Sequence, residues 1–139
     1  MNGKVYFTLM LVFALMACNN QKNQRPELHL HELGAENSKT VQIGNDLHID
    51  IEVLAINRID WLRVEIHAEE SDKSLALNNN STWSFDSIYS EFSGLKNVEF
   101  HKHISIPDSA MPGQYHFQFS VSDSEGNFSD VEDEITVLK

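Results

Sequence analysis

The chain has 139 residues, one cysteine and a formal net charge of −11. That length leaves room for one domain of immunoglobulin size, about 100 residues, behind a leader. The acidic balance argues against a nucleic-acid footprint, which needs clustered Lys and Arg, and a single cysteine excludes an internal disulfide.

Met1-Asn2-Gly3-Lys4 carries one positive side chain, and Val5 to Met16 is an apolar run of 12 residues. This is the length of a signal-peptide core and is too short to span a bilayer as a mature helix. The run ends Leu15-Met16-Ala17-Cys18, which resembles the lipobox of bacterial lipoproteins: an apolar residue three before the cysteine and a small one just before it. The resemblance implies that residues 1–17 are removed, that the Cys18 thiol carries diacylglycerol, and that its new amino group is acylated, as with palmitate. Two or more acyl chains anchor stably, because each buried methylene contributes about 0.8 kcal/mol. Residues 18–25 then read as the lipidated cysteine and a polar tether. No Asp directly follows Cys18, which by analogy with known sorting signals points to the outer membrane of the cell envelope.

From Pro26 to the end, apolar and polar residues alternate with period two, the strand signal. Leu28 and Leu30 alternate with His29 and His31. Leu47, Ile49, Ile51 and Val53 alternate with His48, Asp50 and Glu52. Leu62, Val64 and Ile66 alternate with Arg63, Glu65 and His67. Val98, Phe100, Ile104 and Ile106 alternate with Glu99, His101 and His103. Tyr115, Phe117, Phe119 and Val121 alternate with His116, Gln118 and Ser120, and a last strand runs from Val131 to Leu138. Turn chemistry separates them at Gly44-Asn45-Asp46, Asn57-Arg58, Pro107-Asp108, Met111-Pro112-Gly113 and Ser124 to Asn127. Glu69 to Leu95 breaks the pattern. Its Asn-rich stretch reads as a loop and its aromatics as a crossover between sheets, with a ligand-contacting loop as the alternative. The expected fold for residues 26–139 is an all-β, immunoglobulin-like antiparallel β-sandwich of about seven strands.

Gly113 to Asn127 looks like the F strand and F–G turn of bacterial immunoglobulin-like domains. Gly-x-Tyr precedes alternating apolar residues, Asp-x-x-Gly-Asn closes the hairpin, and Tyr115 is placed like the tyrosine of a tyrosine corner. With its lipobox and histidine-bearing strands, the mature chain resembles an uncharacterised immunoglobulin-like lipoprotein family of Bacteroidota, a domain of unknown function. The resemblance implies the fold and little about activity.

All seven histidines fall in strand segments, on the side opposite the core residues. In an immunoglobulin-type sandwich the strands bearing His29 and His31, His48, and His101 and His103 become A, B and E of one sheet, with B central. Directly opposed side chains on neighbouring strands have Cβ atoms about 4.5–5.5 Å apart, so imidazoles there can share one ion. His29, His31, His48, His101 and His103 are the candidate metal ligands, with Asp50, Glu99 and Glu32 as oxygen donors or orienting partners. Neutral imidazole suits Zn or Cu. Strands C and F would place His67 beside His116, with Glu65, as a second and weaker metal candidate.

Other chemistry is sparse. There is no Gly-x-Ser-x-Gly, no His-Glu-x-x-His and no phosphate-cradling glycine loop, so no enzyme is expected. Asp86-Ser87-Ile88 and Asp108-Ser109-Ala110 match the short pattern that Bacteroidota use for O-glycosylation, which makes Ser87 and Ser109 candidate acceptors. Two functional readings follow. One is a lipid-anchored metal-binding module that buffers Zn or Cu or hands it to an envelope transporter. The other is an accessory lipoprotein that docks on another envelope protein, its histidines incidental or pH-sensing. Neither involves nucleic acid.

Overall fold

The computed structural model describes residues 24–69 and 83–139. The expected signal peptide, Cys18, the tether before Gln24 and the Asn-rich stretch 78–80 lie outside the described residues. Eight strands are described: β1 Glu27–Leu33, β2 Thr40–Gln42, β3 Asp46–Leu54, β4 Ile59–Ala68, β5 Ser84–Tyr89, β6 Asn97–Ser105, β7 Gly113–Asp123 and β8 Phe128–Leu138. They form a three-stranded sheet, β1-β3-β6, and a five-stranded sheet, β2-β8-β7-β4-β5. The first is the A-B-E order expected from the sequence, and β4 lies beside β7 as C beside F.

Period-two alternation puts one face of each sheet into a shared core. Leu47, Ile49, Ile51 and Val53 of β3 are fully buried, as are Leu62 and Val64 of β4 and Phe117, Phe119 and Val121 of β7. Each such side chain contributes about 1.5–3 kcal/mol by leaving water. Phe100 sits at the centre, its ring 4.9 Å from both Tyr89 and Phe119. The Tyr115 hydroxyl donates to the Met111 carbonyl at 2.8 Å, which ties the turn before β7 to its first turnward side chain as in a tyrosine corner.

The Asp-x-x-Gly-Asn segment closes the β7–β8 hairpin through buried Asp123. Its Oδ1 accepts from the backbone N–H of Glu125 at 3.0 Å and of Asn127 at 2.8 Å. Its Oδ2 accepts from the side-chain amides of Asn127 and Asn57. Burial pushes this carboxyl up, and the four donors outweigh it, so its pKa lies below the usual carboxylate value.

Four features depart from the sequence expectation. There are eight strands rather than about seven, because β2 and β5 carry too little alternation to be read. The sandwich is not wholly antiparallel: β2 pairs in parallel with β8. The chain leaves the first sheet at Leu33 and enters the second at Thr40 through a tight turn. Gly34, Glu36, Asn37 and Lys39 all have positive φ there. Gly34 is required, since a Cβ would stand 2.8 Å from the Thr40 carbonyl oxygen. The last strand starts at Phe128 rather than Val131. Finally, Lys102 occupies the inward phase of β6, between Phe100 and Ile104. Its ammonium lies over the rings of Tyr89 and Phe92 at 5.3 and 5.6 Å and pairs with Glu91 at 3.5 Å. The crossover expected between Glu69 and Leu95 is present in its described part: β5 is the edge of the five-stranded sheet, and the chain then passes to β6 in the other.

Candidate metal centre

The outward faces of β3 and β6 carry the histidines. With Leu47, Ile49 and Ile51 committed to the core, His48 and Asp50 must face out. The antiparallel register sets His48 opposite His103 and Asp50 opposite His101. His48 therefore has one imidazole directly across from it and another on the diagonal. Ring centroids are 4.7 Å apart for His48 and His101, 4.9 Å for His48 and His103, and 5.6 Å for His101 and His103. The rings meet edge to face, at 82°, 76° and 67°, rather than stacking. One ring nitrogen from each lies within 4.8 Å of the other two. Three nitrogens bound to one tetrahedral ion at about 2.0–2.1 Å stand roughly 3.3–3.5 Å apart. Closing the difference takes small side-chain rotations at a site where His101 and His103 are exposed.

Carboxylates flank the cluster. Glu32 Oε2 lies 3.5 Å from His48 Nε2, and Asp50 Oδ2 lies 3.8 Å from His101 Nδ1. Glu32 is held in place because its Oε1 accepts from the Glu36 N–H at 2.6 Å. A carboxylate beside an imidazole can orient the ring toward a metal. Asp50 Oδ1 is buried and has no hydrogen-bond partner. A desolvated carboxylate oxygen without a donor destabilises the fold, and a cation nearby would offset that.

Three of the five histidines read from the sequence are gathered, and His29 and His31 are not in the group. His29 lies opposite Glu52, four residues along β3 from His48. A bulge in β1 makes His31 the extra residue between Leu30 and Glu32. His31 Nε2 consequently stands 4.0 Å from Glu52, and Glu32 takes the position beside the cluster. The spacing Leu28, Leu30, Leu33 is the sequence signal of that bulge, because a strict alternation would have put the third core residue at position 32. Glu99 pairs in register with Glu52, at the far end of the patch from His48.

On the other sheet His67 and His116 are directly paired, with ring centroids 5.1 Å apart. Glu65 does not serve them: it binds Arg63 at 3.0 Å, in a set completed by Asp86 at 2.7 Å. The carboxylates beside His116 are instead Glu69 at 3.7 Å and Glu132 at 4.0 Å. Among the described residues, the group of three ligand atoms gathered within 4.8 Å is His48, His101 and His103.

Ser109 lies in the exposed turn between β6 and β7. Ser87 does not lie in a loop. It sits in edge strand β5, opposite buried Val64. Cys18 lies outside the described residues.

These features define the class: an all-β, immunoglobulin-like sandwich with a surface imidazole cluster on its three-stranded sheet. The chain belongs to a family described as a domain of unknown function, DUF4625, which matches residues 16–138. No curated protein matches the chain.

Proposed function

We propose that this protein is a lipid-anchored envelope lipoprotein whose domain binds a divalent transition metal, Zn or Cu, through His48, His101 and His103. The observation that carries the metal reading is the convergence of three imidazoles on one patch, with ring nitrogens within 4.8 Å of one another. Asp50 supports it: its Oδ2 lies 3.8 Å from His101 Nδ1, and its Oδ1 is buried without a hydrogen-bond partner. Three imidazole nitrogens suit borderline metals such as Zn and Cu(II) better than Mg or Ca, which prefer all-oxygen sites. The anchoring reading rests on Leu15-Met16-Ala17-Cys18.

The test is calorimetric titration with zinc and with copper at pH 7.5 and at pH 5.5. The expected result is one site of submicromolar affinity that weakens sharply at the lower pH, because protonated imidazole cannot coordinate. His101→Ala with His103→Ala should abolish it and leave the fold intact. Affinity no tighter than about millimolar, roughly 4 kcal/mol, would leave the histidines as surface residues and favour an accessory lipoprotein that docks on an envelope partner.

A further inference from the structure

The two ends of the sandwich differ in chemistry, and the chain enters at a defined one. Glu27 pairs with Leu54, so β1 begins where β3 ends. The Asn57 side-chain amide donates to the Gln24 carbonyl at 3.3 Å, and the Ser129 hydroxyl donates to the Pro26 carbonyl at 2.7 Å. The entering segment is thus fastened to the β3–β4 turn and to the start of β8. At this same end the Leu95 carbonyl accepts from Ile59 N–H and the Arg58 carbonyl from Ser124 N–H. This joins the β3–β4, β5–β6 and β7–β8 connections into one surface.

That surface is apolar with a mixed charged rim, in which exposed Glu27, Asp60 and Glu125 accompany the cations. Ile56, Leu95 and Phe128 are 39%, 48% and 43% exposed, and the Phe128 ring lies 6.2 Å from that of Trp61. Arg25, Arg58 and Lys96 are exposed around them. Among the described residues, the basic side chains that form ion pairs with carboxylates are Lys39, Arg63 and Lys102. None of the three rim cations does so. Exposed apolar and indole side chains with cations among them fit the interfacial layer of a bilayer, where rings sit among headgroups and cations meet phosphates.

We infer that this end docks on a phospholipid bilayer surface, so that the domain stands on the membrane with its histidine cluster facing away. The inference rests on the lipid-anchor reading of Cys18 and adds to it a fixed orientation. Only five residues, 19–23, lie between Cys18 and Gln24, a reach of about 20 Å at full extension. An anchored Cys18 therefore holds this end close to the lipid. From Leu54 to His48 the chain climbs six residues of β3, about 20 Å at roughly 3.3 Å per residue, which puts the cluster well above the headgroups.

The two tryptophans make the test, because they mark opposite ends. Trp61 lies one pair in from the docking end, opposite Ser122. Trp83 packs on Tyr115, at 5.7 Å, near the start of β7. The full acylated protein, as Trp83→Phe or as Trp61→Phe, is reconstituted in phosphatidylcholine vesicles with brominated acyl chains. Trp61 emission should be quenched and Trp83 emission should not, and Ile56→Ser with Phe128→Ser should relieve the quenching without releasing the protein. A nitroxide on Glu125→Cys, compared with Ser109→Cys at the opposite end, reads the same geometry with both rings intact. Equal quenching, absent quenching or quenching of Trp83 alone, in protein whose mass shows acylated Cys18, overturns the orientation and leaves the anchor standing. Protein of which Cys18 carries no acyl chain overturns both.

Discussion

Asp50→Asn should change stability and metal affinity in opposite directions. Asp50 Oδ1 is buried without a donor, while Oδ2 faces His101 at 3.8 Å and the side chain keeps 30% of its exposure. A buried polar group with no partner costs about 1–3 kcal/mol, more when charged. Because the other oxygen still reaches water, the lower end applies, and removing the charge should stabilise the metal-free protein by about 1 kcal/mol. The carboxylate also orients the imidazole it faces and supplies negative charge at the site. Loss of such a partner weakens metal binding by about 10–100-fold, or about 1.4–2.7 kcal/mol. Urea unfolding in the presence of a chelator at pH 7.5 reads the first effect and titration with zinc the second. The amide keeps the shape of the carboxylate, so packing changes do not confuse the comparison. A variant that is less stable than the parent and binds zinc equally well would refute the assignment of Asp50 to the site.

Two further predictions concern the frame that carries the site. Gly34→Ala should destabilise the protein by about 2 kcal/mol or more, since it adds the cost of a backbone conformation open essentially to glycine alone (φ 75, ψ 164), about 1–3 kcal/mol, to a Cβ placed 2.8 Å from the Thr40 oxygen. Urea unfolding checks it, and an unchanged midpoint would contradict the reading of the β1–β2 turn. The depressed pKa of Asp123 makes its stabilisation complete above the ordinary carboxylate value, about 3.9, and lost as the pH falls through the lower folded value. The stability gap between the parent and Asp123→Asn should therefore be widest at neutral pH and shrink toward pH 3. A gap that does not change with pH would rule this out.

Much of the architecture was legible because β3, β4 and β7 are long, central and strictly alternating. Their order along the chain, combined with the sandwich rule that B lies between A and E, was enough to bring His48 beside His101 and His103. What was not legible lies at edges and irregularities. β2 has three residues, Thr40-Val41-Gln42, too few to show a period. In β5 the inward positions are Phe85, Ser87 and Tyr89; an edge strand tolerates the serine, and the serine hides the alternation. Lys102 reads as a break in an apolar run, yet its stem lies inward at the rim while its ammonium rests on Tyr89 and Phe92. The β1 bulge moved His31 out of phase and brought Glu32 into it. One extra residue thus replaced an expected imidazole by a carboxylate beside His48.

Period two also explains why this site and this fold can be varied apart. On β3 the inward residues Leu47, Ile49, Ile51 and Val53 belong wholly to the core, and His48 and Glu52 belong to the outer face. Substitutions at His48, His101 or His103 therefore remove imidazoles without opening a cavity, and surface changes of that kind shift stability by about 0.5 kcal/mol or less. Asp50 is the exception, because one of its oxygens is buried without a partner while the side chain as a whole is 30% exposed. It is the one outward position on β3 where the cost of holding the site falls on the fold. A strand that served only as scaffold would gain by replacing it, and a strand that presents a cation site has a physical reason to keep it.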